Sequence, residues 1–388
     1  MSGLLVESEQ LVELRNKVKG IVDKYGQSYF VERSLNHEDI VEFWGELGAA
    51  GLLSVHLPKE YGGGGLGLTE LVVVVEELAA NGLPMLNLVI SPAICGSIIA
   101  EHGSEEMKRE WLPGLADGSK MMAFAITEPG AGSNSHELET TARRSGDGWE
   151  ISGKKHLISN ADRADAVLVV ARDADVVSEK PGRNALSLFV VPRETPGFTF
   201  ERLETAVQTP WWQFSLNFAE VRVGADAIIG TAGKGLRQVF AGLNPERILA
   251  AAISSGIGRC AISRAAAYAK ERQVWSTPIG AHQGISHPLA EAHVNVELGR
   301  LAMAQAAKLH DAGIDSGEAA NFAKFAAAEA SLKALDQSIQ THGGLGLSKG
   351  KGLTDLWFAA RLMRTAPVSR EMVLNYVAQT SLGLPRSY

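Results

Sequence analysis

Two cysteines in 388 residues, Cys95 and Cys260, cannot build a disulfide framework, and neither has the nearby Cys or His partners of a zinc site. Such a chain suits a reducing compartment. It also lacks any run of basic residues, and 37 Lys and Arg against 44 Asp and Glu leave a net charge of −7. Without a cationic patch to neutralise a phosphate backbone, nucleic acid is not an expected partner. The opening segment, MSGLLVESEQLVELRNKVKG, has no basic leader followed by an apolar core. That predicts no secretory signal and a cytoplasmic protein. Only Leu78 to Ala100 is free of charge over a length that could cross a bilayer, which takes about 20 residues. Asn81, Gly82, Pro84, Asn87, Ser91, Pro92, Gly96 and Ser97 interrupt it, which suits a turn and a buried helix rather than a lipid-facing span.

What is present is ordinary globular composition, 45% hydrophobic and 21% charged, in a chain long enough for two or three domains at roughly 150 residues each. Periodicity divides it into three zones. In residues 1–120, Leu11, Leu14, Val18 and Ile21 recur at helical spacing, and Leu71 to Leu78 and Glu105 to Leu115 also read as helices. Gly62, Gly64 and Gly67 match G-x-G-x-x-G, but Leu57-Pro58-Lys59-Glu60-Tyr61 is no strand, so a flexible loop is expected there rather than a dinucleotide fingerprint. In residues 121–232, Ala166–Arg172 and Leu186–Val191 read as buried strands, and Phe214, Leu216 and Phe218 alternate as in a half-exposed one. Gly146-Asp147-Gly148 and Pro196-Gly197 mark turns, and the lack of helix-length spacers predicts an antiparallel β domain. Residues 233–388 are Ala-rich, with long segments at 245–273, Leu289–Leu309 and Ala319–Thr341 that predict a four-helix bundle. The expected class is α+β multidomain: an all-α domain, a β domain, a helical bundle.

Chemistry concentrates at Ala125-Ile-Thr-Glu-Pro-Gly-Ala-Gly-Ser-Asn134, where small residues and hydroxyls surround a turn able to present backbone N–H groups to a phosphate or carbonyl. This segment resembles the first signature of the acyl-CoA dehydrogenases. Gly153-Lys-Lys-His-Leu-Ile-Ser-Asn160, Tyr268-Ala-Lys-Glu-Arg272 with His282-Gln283, and Gln340-Thr-His-Gly-Gly344 follow in the family's order. The resemblance spans the whole chain. It implies an FAD flavoprotein of fatty acid metabolism that acts on an acyl-CoA, passes electrons to an electron-transferring flavoprotein, and assembles as a dimer or a homotetrameric dimer of dimers. It implies that Thr127 and Ser159 bond the isoalloxazine, Ser159 near N5, although each hydroxyl could equally satisfy a β-turn. Ser133 would lie at the pyrophosphate or CoA edge. Arg272, Gln283, Gln340 and Gly344 would meet a partner's FAD, and Ser369 would also fall at the cofactor.

Dehydrogenation needs a base for the α-proton, a hydride acceptor, and donors for the developing enolate oxygen. In many members the base is a glutamate near the C-terminus, and counting on from Gln340 puts Pro367 at that place, within Arg364-Thr-Ala-Pro-Val-Ser369. A minority carry the glutamate on the long bundle helix before an arginine, as in isovaleryl-CoA and long-chain acyl-CoA dehydrogenases, and Asn244-Pro245-Glu246-Arg247 supplies that pair. Glu246 is therefore the expected base, with Arg247 at the substrate. The same tetrad also reads as a helix start, with Asn244 as N-cap and Pro245 at N1. Proline has no N–H, so Val368 is the expected substitute donor to the thioester oxygen. Glu371 is a fallback base, otherwise a solvated helix residue. Leu157 stands where many members have a flavin-stacking tryptophan, and Asn134 and the Leu347-Ser-Lys-Gly350 segment also depart from the pattern. Trp211-Trp212 reads as core or interface, and His136 as a loop histidine. A branched, bulky or long acyl chain is the expected substrate class. The missing C-terminal glutamate leaves open a same-fold nitroalkane oxidase, desulfinase or monooxygenase, or a non-catalytic partner subunit.

Overall fold

The computed structural model describes residues 4–177 and 185–386. Ser8 caps α1 (Glu9–Asn36), whose Val18 and Ile21 are buried as the spacing predicts, and which bends at Gly26, where φ is 72°. After α2 (Val41–Ala49), the glycine-rich segment forms a bonded turn rather than a flexible loop. Each N–H from Gly62 to Leu66 donates to a carbonyl between Ser54 and Lys59. A Cβ on Gly63 would sit 2.2 Å from the Leu57 oxygen, so glycine is there for close approach. The following α3 (Leu68–Ala80) buries nearly all its apolar residues because it lies between α1 and the bundle.

The uncharged stretch folds as a turn and a buried helix. Asn81 and Gly82 end α3, and α4 (Leu86–Leu88) and α5 (Ser97–His102) flank a wide π-type segment, Val89–Gly96, with Pro92 inside it. Proline lacks the N–H that a regular turn would use, and π-type turns recur at functional sites. Among the described residues no helix is long and apolar enough to cross a membrane. The zone ends with α6 (Glu105–Asp117), capped by Ser104.

The middle zone is one eight-stranded sheet: β1 (Met122–Ala125), β2 (Thr141–Ser145), β3 (Gly148–Ser159), β4 (Ala166–Asp173), β5 (Leu186–Pro192), β6 (Phe198–Leu203), β7 (Gln213–Val223) and β8 (Ile228–Ile229). Seven strands run in the order β6-β7-β3-β2-β4-β5-β8, and β1 joins β4. It is not wholly antiparallel: β1 and β2 both pair with β4 in parallel. The β2–β3 hairpin fills the connection, so strands do the crossover work for which a helix was thought necessary. Along β4, Leu168 and Val170 face the helices while Val167 and Val169 pack with Trp149, Phe189 and Phe214. Both faces are covered, hence the unbroken hydrophobic runs.

A short α7 (Gly235–Gln238) leads into α8 (Phe240–Glu271), a hairpin of β9 (Gln273–Val274) and β10 (Thr277–Pro278), α9 (Gln283–Asp311) and α10 (Gly317–His342). The last stretch of the bundle is divided into α11 (Trp357–Leu362) and α12 (Arg370–Tyr376), both against α10. Pro367, joined to Ala366 by a cis peptide, and the Ser369 cap separate them. The helix carrying Glu246 starts at Phe240, so Asn244 is not its N-cap and Pro245 is not at N1. The glycine turn at Gly230 and Gly233 begins the helical course earlier, and the chain runs on through the proline.

Candidate active site

The π-type segment touches both α8 and β1, and so ties the glutamate-bearing helix to the strand leading to Thr127. Ser91 Oγ accepts the Met122 N–H at 2.9 Å, pinning it to β1. Gly242 pins the other side, since a Cβ there would lie 2.8 Å from Ile94 Cγ2. Glu246, one turn further along α8, is largely buried beside Cys95, whose thiol is pushed up by burial and then by the Glu246 charge. Burial pushes the Glu246 carboxyl up to about 7, against the opposing pull of Arg247 and Lys324. Among the described residues no hydrogen bond or ion pair holds that carboxyl. Its distance from the start of the helix also spares it the full N-terminal dipole that would lower it.

Arg247 turns away. Its guanidinium donates to the Leu243 carbonyl at 3.2 Å, to Asn321 Oδ1 at 3.0 Å and to Asn244 Oδ1. Lys324, on α10 and 1% exposed, donates from Nζ to the Val368 carbonyl, and burial brings its ammonium down to about 8. Pro367 and Val368 are half-buried, whereas the Glu371 side chain is 73% exposed and 3.8 Å from Arg370. The Ser369 hydroxyl accepts the Met372 N–H and so caps α12.

On the β side, His156 N–H donates to the Thr127 carbonyl at 2.9 Å, which sets Thr127 beside the strand that ends in Ser159. Both residues are half-buried, and Gln213 Nε2 donates to Ser159 Oγ at 2.8 Å. The β3–β7 register shifts between Lys155 and Ile158, and Leu157 adopts φ 56° with 54% of its surface exposed. Beneath, Lys155 and Glu128 form a buried pair at 2.8 Å, and Glu128 also accepts the N–H groups of Glu139 and Thr140. Burial works to raise Glu128, yet Lys155 and these donors hold it below the usual carboxylate range. The pair braces a turn whose outer residues, Gly130, Gly132 and Ser133, are exposed, and a Cβ on either glycine would meet nothing within 4 Å. Exposed turn amides, two hydroxyls, an uncovered Leu157 and the buried, unpartnered Trp212 Nε1 fit a flat polar ring with a phosphate tail. The FAD that the motif resemblance implies is a group of that kind.

Four other expected cofactor residues lie elsewhere. Arg272, Gln283, Gln340 and Gly344 are all exposed where α8 ends, α9 begins and α10 ends, an end of the bundle marked by Tyr268 stacked on His342 at 4.4 Å. Glu246 is near the opposite end of α8. Trp211 is core, edge-on to Phe30 and Trp44, and His136 is half-buried in its turn.

The chain matches three domain families in order: acyl-CoA dehydrogenase, N-terminal domain over residues 8–119, middle domain over 123–217, and C-terminal domain over 233–382. The chain belongs to the acyl-CoA dehydrogenase family. It is thus an FAD-dependent oxidoreductase. Acyl-CoA dehydrogenase FadE12 of Mycobacterium tuberculosis is 53% identical to this family member over 385 residues, covering 99% of this chain and 98% of the relative. Butyryl-CoA dehydrogenase from Megasphaera elsdenii shares the fold at a TM-score of 0.91 and 25% identity, with 98% and 100% of the two chains covered. A glutaryl-CoA dehydrogenase from Mycobacterium smegmatis, solved in complex with FADH2, gives 0.91 and 25%, with 98% and 97% covered.

Sequence reasoning missed Lys324, Asn321 and the Glu128–Lys155 brace. A signal existed for the first: Lys324 falls on the stripe of Ala320, Ala327, Ala328 and Ser331, all buried, where a cation is out of place.

Proposed function

We propose that this acyl-CoA dehydrogenase converts an acyl-CoA thioester to its trans-2-enoyl-CoA with Glu246 as the base. The observation that carries this is a mostly buried carboxyl that no hydrogen bond or ion pair among the described residues holds, pushed up by burial to about 7, in a chain whose C-terminal alternative is proline. A base is most useful when its pKa lies near the working pH. Burial supplies that here, while Asn244, Asn321 and the Leu243 carbonyl keep Arg247 from pairing with it.

Thr127 and Ser159 are the residues to hold the isoalloxazine, and the Ser133 turn the pyrophosphate or CoA edge. FAD, when bound, supplies the hydride acceptor for the β-carbon. Val368 N–H is the protein donor left to the thioester oxygen, since Pro367 has none. A branched, bulky or long acyl group is the substrate class proposed, on the placement of the base on α8 rather than in the C-terminal segment. Arg272, Gln283, Gln340 and Gly344 lie roughly 40 Å along α8 from Glu246 at 1.5 Å per residue, too far to serve the same flavin. They suit a second copy's FAD, in a dimer or dimer of dimers. Electrons would leave to an electron-transferring flavoprotein in the cytoplasm.

The test is a ferricenium-coupled assay across an acyl-CoA panel, with α-proton exchange in deuterated buffer, for the parent and Glu246→Gln. Retained FAD with exchange and turnover lowered about 10²–10⁴-fold is expected of a lost base. Undiminished exchange in that variant sinks the assignment.

A further inference from the structure

Lys324 is the one buried cation of the pocket that the mechanism leaves without work. It sits on α10, is 1% exposed, and among the described residues its ammonium has a single hydrogen-bond partner, the Val368 carbonyl, although it has three protons to donate. Burying an ammonium for one carbonyl is costly, and an apolar residue would fit the alanine stripe around it without that cost. The segment it holds is the one that lacks the family's usual glutamate. Its two ends are also fastened to α10: Glu329 accepts from Arg364 at 2.8 Å and from Arg370 at 3.1 Å. Lys324 thus holds the middle of a segment whose ends are already clamped.

Arg247 reaches Asn321 at 3.0 Å, which brings the turn of α8 that carries Glu246 against the turn of α10 next to Lys324, and the ammonium acts on Glu246 through space without pairing with it. The charged groups around the two are Arg247 on α8, Glu329 on α10, Arg364 in the segment and Glu371 on α12, with the Cys95 thiol on the π-type segment. Of these, Arg247 is bound by three oxygens and Glu329 by two arginines, so Lys324 is the cation with protons to spare.

We propose that Lys324 is a positioning residue: it holds the Pro367–Val368 segment at the pocket wall through the Val368 carbonyl, and its ammonium keeps Glu246 in the ionised, proton-accepting form. The role rests on Glu246 being the base. In a member whose base sits on α8, the segment vacated by the carboxylate still needs a fixed shape, and the relocated carboxylate still needs a cation that does not quench it by direct pairing.

The experiment measures kcat/KM against pH for FAD-loaded parent, Lys324→Met, Lys324→Gln and Lys324→Arg. Removing a cation makes the carboxyl easier to protonate, so the acid limb of the Met and Gln variants is expected to move up by about half to one pH unit, while Arg keeps the parent limb. Gln retains a donor for Val368 and loses only the charge, so it reads the electrostatic role even where Met fails to load FAD. A parent-like limb in FAD-loaded Gln, or an Arg variant shifted as far as Gln, overturns the proposal. Glu246→Gln separates the two readings: if it abolishes α-proton exchange while the Lys324 variants keep the parent limb, only the role of Lys324 falls. If it retains exchange, both fall.

Discussion

Two glutamates on helices, Glu76 and Glu246, are both withdrawn from water and have opposite fates. Glu76 on α3 is wholly buried and meets Arg15, Arg259 and Arg300. Burial pushes its carboxyl up, but the three guanidiniums outweigh that and bring it down to about 2. Glu246 is mostly buried, and neither Arg247 nor Lys324 pairs with it directly, so burial prevails over their pull and the carboxyl rises to about 7. Desolvation alone therefore does not make a base. What separates a structural carboxylate from a reactive one here is whether the arginines beside it are free to pair.

Breaking the Glu76 side should give the largest loss of stability. Glu76→Gln leaves the buried Arg300 and the partly exposed Arg15 and Arg259 short of a counter-charge, and removing one partner of a buried pair costs about 3–5 kcal/mol. Chemical denaturation of the FAD-loaded protein would show it, with turnover per folded molecule unchanged. The deficit should also shrink in acid. The native carboxyl lies below its ordinary 4.5, so its contribution is full above 4.5 and is lost as pH falls toward 2.

Glu246→Gln should do the reverse to stability while lowering turnover about 10²–10⁴-fold. Its native carboxyl lies above 4.5, so the folded state binds more protons than the unfolded state between 4.5 and 7, and wild-type stability falls as pH rises through that window. The amide carries no such cost. The variant should be the more stable protein above neutrality, by on the order of 2 kcal/mol after allowance for partial exposure, and equal to the parent below pH 4.5. A variant no more stable than the parent at high pH would place Glu246 in water and erase the contrast.

The Glu128–Lys155 pair lies between these extremes, since it is structural in charge but sits under the Gly130–Ser133 turn proposed for the cofactor. Glu128→Gln weakens its bonds to Lys155, Glu139 and Thr140 together, and a tenfold loss of FAD affinity, about 1.4 kcal/mol, is the expected result by fluorescence titration. The sequence made the three zones, the helical periods and the order of motifs legible because those are local. It showed Glu246-Arg247 as neighbours but not that Arg247 turns toward Asn321, because that partner is 74 residues away. For the same reason Glu128 and Lys155 were visible only as parts of two separate motifs. The helix start was misplaced because Asn-Pro-Glu has the chemistry of a cap, whereas the turn at Gly230 and Gly233 begins the helical course earlier and α8 runs through the proline.

The smallest effect belongs to Glu371, which tests whether position along the chain or burial decides which carboxylate reacts. It lies four residues from Pro367, closer in sequence to the usual place of the base than Glu246 is, but its side chain is 73% exposed and faces Arg370 at 3.8 Å. Water screens such a pair to roughly 0–1 kcal/mol, and an exposed carboxyl gains nothing from desolvation. Glu371→Gln should therefore shift stability by less than about 0.5 kcal/mol and turnover by no more than about twofold. A hundredfold fall in α-proton exchange in that variant, at full FAD content, would mean that α12 moves to bury Glu371 when acyl-CoA binds. The base would then belong to the C-terminal segment after all.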